Sequence, residues 1–188
     1  KTKFFSNDVN YFSKYKVEVA SENLPVSSIK TLLEFGCGTG RNIPSLQQFF
    51  SSAVVSGSDI SEASIDIAKK SSPTASFFLE TDLSNDFGNF DLIFVAGVFH
   101  HIEPSCRLQT MADLYGRLNE GGYIFVFEHN PYNPITRRIV NNCEYDLDAV
   151  LLPPKELIRY ASEVGLIEIS RGYTLFFPPL LGSAIHSF

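Results

Sequence analysis

The 188-residue sequence predicts a doubly wound α/β fold, a mostly parallel sheet with helices on both faces, and three observations carry that expectation. Short apolar runs alternate with segments of helical period from Thr31 to Phe127. The first run passes directly into a turn with glycine at every second position, Gly36, Gly38 and Gly40. The second run ends on an acid, Asp59, at the strand tip where an open parallel sheet presents hydrogen-bond acceptors to a ligand.

The elements follow in order. Residues 7–23 place Val9, Phe12, Val17 and Val19 with Tyr11 and Tyr15 on an amphipathic helix that Leu24-Pro25 ends. Thr31, Leu32, Leu33 and Phe35 read as a strand covered on both faces. Pro44 suits the first turn of a helix over 43–50, because its missing N–H has no partner there anyway. A strand over 53–58, a helix from Ser61 through Lys70 and a strand over 75–79 come next, then a turn-rich stretch over 85–89. Residues 91–98 form the most continuous apolar run and read as a central buried strand turning at Gly97. Pro104 opens a helix with Leu108, Met111, Ala112, Tyr115 and Leu118 at three- and four-residue spacing, and Gly121-Gly122 stops it. A fifth strand over 123–127 delivers Glu128, His129, Asn130 and Pro131 to the same sheet edge. Residues 132–152 lack a clean period but hold many apolar side chains, which suits a packed cover or short-helix insertion. A helix over 154–164 with Gly165 past its end, a sixth strand over 166–170, and a stretch over 173–177 that continues or pairs with it complete the chain.

A net charge of −6 argues against nucleic acid as the main partner, since that affinity rests on Lys and Arg neutralising phosphates. No apolar run approaches the roughly 18 to 20 residues of a membrane span, and the polar residues 1–10 do not form a signal peptide. The expectation is one domain over 1–188, cytoplasmic, acting on a small molecule. Cys37, Cys106 and Cys143 fit no metal or redox spacing and read as free thiols. Cys37 is tolerated in the glycine turn for its small size, and a catalytic role for it is disfavoured.

The glycine turn discriminates between ligands. A dinucleotide fingerprint starting at Gly36 needs glycine where the chain has Arg41, and a phosphate loop ending in Gly-Lys-Ser/Thr is absent. What remains is Glu34, two positions before the triplet. The stretch Glu34-Phe35-Gly36-Cys37-Gly38-Thr39-Gly40 closely resembles the first motif of the class I S-adenosylmethionine-dependent methyltransferases. That cofactor carries a sulfonium and an ammonium and has no pyrophosphate, so a carboxylate beside the turn is useful and a phosphate cradle is not.

The resemblance implies a Rossmann-like sheet, S-adenosylmethionine as methyl donor, S-adenosylhomocysteine as product and no metal. Glu34, Gly36, Cys37, Gly38 and Gly40 would form the cofactor loop. Asp59 is placed to bond a ribose diol, or alternatively to cap the helix after it, and Ile60 to cover an adenine face. The resemblance assigns Asp82 and the Leu83 backbone to the adenine edge, with Glu80 as the alternative acid, and sets Gly97 beside the methionine portion. Phe99, His100, His101 and Ile102 would floor the reaction site, His100 merely packing and hydrogen-bonding the backbone. His101 and His129, just past strand ends, are the candidate catalytic or substrate-orienting groups, because histidine takes a proton near neutral pH.

Asn130, Tyr132 and Arg137 are candidate acceptor contacts under a lid over 130–152; the alternative is a surface excursion whose Arg137 and Arg138 pair with Glu144, Asp146 and Asp148. A leading helix within 1–25 would lie over the cleft and offer Tyr15, or else Tyr15 is ordinary core packing. The expected activity is methyl transfer to a small molecule; the alternative is a non-catalytic binder of the same cofactor. The family's usual seventh strand is either 173–177 or lies beyond the Phe-rich end, which reads as cut.

Overall fold

In the computed structural model, which describes residues 11–81, 88–143 and 146–174, five strands form one sheet in the order β3-β2-β1-β4-β5. They are β1 (Thr31–Phe35), β2 (Val54–Asp59), β3 (Ser76–Leu79), β4 (Phe90–Ala96) and β5 (Leu118–Phe127), and every pairing is parallel. Around them stand α1 (Tyr11–Asn23), α2 (Ile43–Phe49), α3 (Glu62–Ser71), α4 (Arg107–Gly116), α5 (Pro134–Val140) and α6 (Pro154–Glu163).

β1 lies between β2 and β4, with Leu33 level with Ser56 on one side and Ile93 on the other. The strand order therefore reverses at β1, and the crevice at the tips of β1 and β4 is where such sheets bind ligands. Apolar side chains alternate between the two faces. Leu32, Val55, Leu92 and Phe94 pack with Val17, Ala20, Ile43, Leu46 and Phe50. Leu33, Ile93 and Val95 pack with Phe99, Met111, Leu114, Leu152 and Tyr160 on the opposite face. Each side chain so buried contributes about 1.5 to 3 kcal/mol, which is why β1 and β4 read as unbroken apolar runs. At the far edge, Asp91 accepts the Lys30 and Thr31 N–H groups and the Asn119 amide, fixing the β1–β4 register.

Several boundaries differ from the sequence expectation. The fifth strand begins at Leu118, which pairs with Phe90, and the next pair is Leu92 with Tyr123, so Asn119 to Gly122 bulge out. Gly121, at φ 74°, belongs to that bulge and not to a helix end; the helix has already stopped at Gly116. Leu118 thus leaves the helical stripe because strand pairing claims it. Among the described residues the expected sixth strand over 166–170 joins no ladder, and Ile167 and Ile169 are 85% and 74% exposed. Only Leu166 of that segment packs against the core. Tyr173 and Thr174 are likewise outside any strand, and residues 175–177, like 7–10, lie outside the described residues.

Candidate functional site

The glycine turn leaves β1 at the switch point, and all three glycines have positive φ, 68°, 53° and 77° at Gly36, Gly38 and Gly40. Each is glycine for a different reason. A Cβ on Gly36 would stand 2.5 Å from Val98 Cγ2, and one on Gly40 3.1 Å from the Ala68 Cβ of α3. A Cβ on Gly38 would meet nothing of the protein within 4 Å, so the space in front of that residue is open to a ligand. The turn is held from β2: Cys37 N–H donates to Ser58 O at 2.8 Å, and Gly38 N–H to Asp59 Oδ2 at 2.8 Å. The other Asp59 oxygen accepts the Ser61 N–H at 2.9 Å, and Ser61 caps α3 through the Ser64 N–H. Asp59 therefore ties the loop to the helix, and each oxygen keeps a lone pair for a further donor. Ile60 beside it is 76% exposed.

Glu34 is buried near the C-terminal end of β1, with Asn42 Nδ2 donating to Oε1 at 2.5 Å. Burial pushes its carboxyl up to about 7, against the lowering pull of the Asn42 bond and the Lys16 ammonium. Glu34 Oε2 and Asn42 Oδ1 are buried acceptors with no hydrogen-bond partner among the described residues, as is the Ser58 hydroxyl. Unfilled acceptors beside an open glycine turn suit a cationic donor such as an ammonium. Burial also depresses Lys16 on α1, opposed by the charges of Glu34 and Glu128. Burial drives the Cys37 thiol far above its ordinary range, with Glu34 and Asp59 adding to the effect, so it stays protonated and inert. Asp82 and Leu83 lie outside the described residues. Both oxygens of the alternative acid, Glu80, take Arg117 at 2.8 and 2.9 Å.

The β4–β5 end is made of side chains. Gly97, at φ 72°, donates its N–H to Phe127 O, and the chain turns through Phe99–His101. Glu128 at the tip of β5 accepts the Val98 and Phe99 N–H groups at 2.8 and 2.7 Å on one oxygen. Its other oxygen meets His100 Nδ1 at 2.7 Å. Burial would raise the Glu128 carboxyl, but the His100 contact and the two N–H bonds hold it below its ordinary value. His100 is buried between the rings of His101 and His129, with centroids at 4.1 and 4.9 Å. Burial lowers the His129 pKa and the neighbouring His100 lowers it further. His101 is 37% exposed and faces Asp146 and Asp148.

The cover segment is pinned by the same turn. Buried Arg107 donates to Ile102 O at 3.0 Å and Val150 O at 2.6 Å, while Val150 N–H returns to His100 O at 2.8 Å. Asn130 spends its side-chain oxygen on the Tyr132 N–H at 2.9 Å; Tyr132 and Arg137 are exposed. Asp146 and Asp148 turn to the histidines, and neither meets Arg137 or Arg138 in an ion pair. Tyr15 is half-buried on α1 and stacks on Tyr11 with centroids at 6.4 Å. Asn42 and Arg107 have no role assigned from the sequence, and Asp146 reads there only as a partner for Arg137 and Arg138 or an acid of the cover segment. Glu128 reads as the tip of the fifth strand, without a role.

Known proteins resemble the chain in sequence and in fold. The family model for a methyltransferase domain matches residues 33–124. An uncharacterized methyltransferase of Synechocystis is 31% identical over 115 residues, 60% of this chain and 53% of its own length. A ribosomal RNA large subunit methyltransferase G of Shewanella is 26% identical over 162 residues, 73% of this chain and 41% of its own. The chain thus spans about half the length of these curated relatives. An O-methyltransferase family protein from Burkholderia thailandensis superposes with TM-score 0.74 at 15% identity, covering 87% of this chain and 54% of that one. The plantazolicin methyltransferase BpumL, solved with S-adenosylhomocysteine, superposes at 0.64 with 18% identity, covering 88% and 65%. The glycine turn at the switch point and the 3-2-1-4-5 sheet agree with the matched domain: residues 33–124 match the model of a methyltransferase domain, and the fold is the Rossmann-like fold of the class I methyltransferases.

Proposed function

We propose that this chain transfers a methyl group from S-adenosylmethionine to a small-molecule acceptor. The observation that carries the reading is the open turn at Gly38, flanked by Asp59 and by the unfilled acceptors of Glu34 and Asn42. When bound, the cofactor supplies a methyl on a cationic sulfur, which an acceptor lone pair displaces. Glu34 and Asn42 would receive the ammonium, Asp59 the ribose hydroxyls, and Ile60 an adenine face, with Gly36, Cys37, Gly38, Gly40 and Gly97 forming the backbone it lies against and Gly38 leaving the room. Asp82 and Leu83 remain the proposed adenine-edge contacts.

The chain's work is alignment and exclusion of water, which suits an in-line displacement that needs no covalent intermediate. His129 would take the proton when the acceptor is a hydroxyl, and His101 would orient the acceptor. Asn130, Tyr132 and Arg137 of the segment 130–152 and Tyr15 of α1 would line the acceptor side. The net charge of −6 supports a small acceptor over RNA. Free cysteines and an intracellular methyl donor support a cytoplasmic setting, and no helix among the described residues is long and apolar enough to cross a membrane.

The test supplies methyl-labelled S-adenosylmethionine with a metabolite extract in one arm and total ribosomal RNA in another. Label in the small-molecule fraction, with release of S-adenosylhomocysteine, is expected. Label confined to RNA would replace the acceptor class. Cofactor binding without transfer in either arm would favour the non-catalytic binder.

A further inference from the structure

The cofactor reading leaves one cluster unexplained. His100 Nδ1 is engaged by Glu128, yet its Nε2 faces Asp146 Oδ1 at 3.6 Å, and His101 Nε2 stands 3.5 Å from the same oxygen. Charge-assisted N–H···O bonds run at about 2.7 to 2.9 Å, so Asp146 bonds neither ring properly although it lies between both. Hydrogen bonding is a poor account of this spacing. Donors held by one tetrahedral metal at about 2.0 to 2.2 Å stand about 3.3 to 3.6 Å apart, and the two measured separations fall in that range. All three donor atoms lie within 4.8 Å of one another.

Two further features fit the same chemistry. A metal-binding histidine characteristically gives its other ring nitrogen to a carboxylate, and Glu128 takes that place on His100 at 2.7 Å. Glu128 is itself fixed by the Val98 and Phe99 N–H groups, so the ring is oriented before any ion arrives. Two imidazoles with one carboxylate suit zinc and its transition-metal neighbours, whereas magnesium and calcium prefer oxygen ligands throughout.

We propose that His100 Nε2, His101 Nε2 and Asp146 Oδ1 bind one divalent transition-metal ion of the zinc type, with Glu128 positioning His100. The ion joins the turn after β4 to the cover segment that carries Asp146. Three protein donors and the exposure of His101 leave a coordination position for water or for an acceptor oxygen. That last use rests on the methyl-transfer reading; the binding of metal does not.

The experiment strips the full chain with a chelator and titrates it with Zn²⁺, following stoichiometry by elemental analysis, and with Co²⁺, following the visible absorption of a low-coordinate site. Wild type is expected to bind one equivalent. Asp146→Asn and His101→Gln should each weaken binding at least about 100-fold, and Glu128→Gln about 10- to 100-fold. Asp148→Asn, which removes a carboxylate 3.9 Å from the other nitrogen of His101, should leave it unchanged. Circular dichroism and S-adenosylmethionine titration on the same samples establish that each variant is folded and that its cofactor end is intact. Absence of saturable binding in wild type overturns the proposal even where cofactor binding and turnover are normal. Equal metal affinity in Asp146→Asn and wild type overturns it as well, and would make Asp146 only an ion-pair partner of the histidines.

Discussion

At the β1–β2 end of the crevice the ligand-facing geometry is written in backbone: three left-handed glycines and N–H groups given to Ser58 and Asp59. At the β4–β5 end it is written in side chains, with His100 meeting Glu128 from 28 positions away and Asp146 closing over both histidines. A backbone device depends on few neighbours and tolerates little substitution. A side-chain assembly depends on distant segments arriving together, and its members can be exchanged one at a time.

Gly38 and Gly36 give the largest expected effects and separate space for ligand from space for protein. Gly38→Val should bring S-adenosylmethionine binding below detection by titration calorimetry while the chain stays folded, since a Cβ there meets no protein atom within 4 Å and the cost to stability is confined to the strain of the left-handed φ of 53°. Wild-type affinity in that variant would reduce the turn to a chain reversal. Gly36→Ala should instead lose about 2 to 4 kcal/mol of stability in denaturant unfolding, because its Cβ collides with Val98 in a left-handed conformation. A neutral result would mean that the two ends of the crevice are not packed together at Val98.

Glu34 tests burial against charge. Its folded pKa is raised from 4.5 to about 7, so the folded state holds the proton more tightly than the unfolded one. The stability this contributes is complete below pH 4.5 and is lost as pH rises to about 7, a change of about 3 kcal/mol, and is then flat. Glu34→Gln should remove that slope and be the more stable protein at pH 8. Parallel pH–stability curves for the two proteins would contradict the burial account. Bound cofactor should flatten the wild-type curve by pairing the carboxylate.

Asp59→Ala should weaken cofactor binding by about 1 to 3 kcal/mol, the scale of hydrogen bonds to a charged group. It should also lower the melting temperature, because the Gly38 and Ser61 N–H groups lose their acceptor. A lower melting temperature with undiminished affinity would leave Asp59 as a loop clamp only. The smallest effect is expected at Tyr132, where replacement by Ala should raise the acceptor KM several-fold, about 1 kcal/mol, with cofactor affinity unchanged. A change in cofactor affinity instead would place Tyr132 at the wrong end of the crevice.

The sequence by itself determined the winding of the sheet and the location of the crevice. Apolar runs such as Leu92 to Val95 need cover on both faces, and glycines at Gly36, Gly38 and Gly40 disclose a turn whose backbone requirement is local. It misplaced the start of the fifth strand, and it offered a sixth that joins no ladder among the described residues, because periodicity records which residues could alternate and not which edge they pair with. Tertiary structure alone decided the roles of Asn42, Glu128 and Asp146. Each is an ordinary polar residue until folding brings Glu34, His100 or His101 against it, and that proximity, with the water it excludes, gives those groups their altered chemistry.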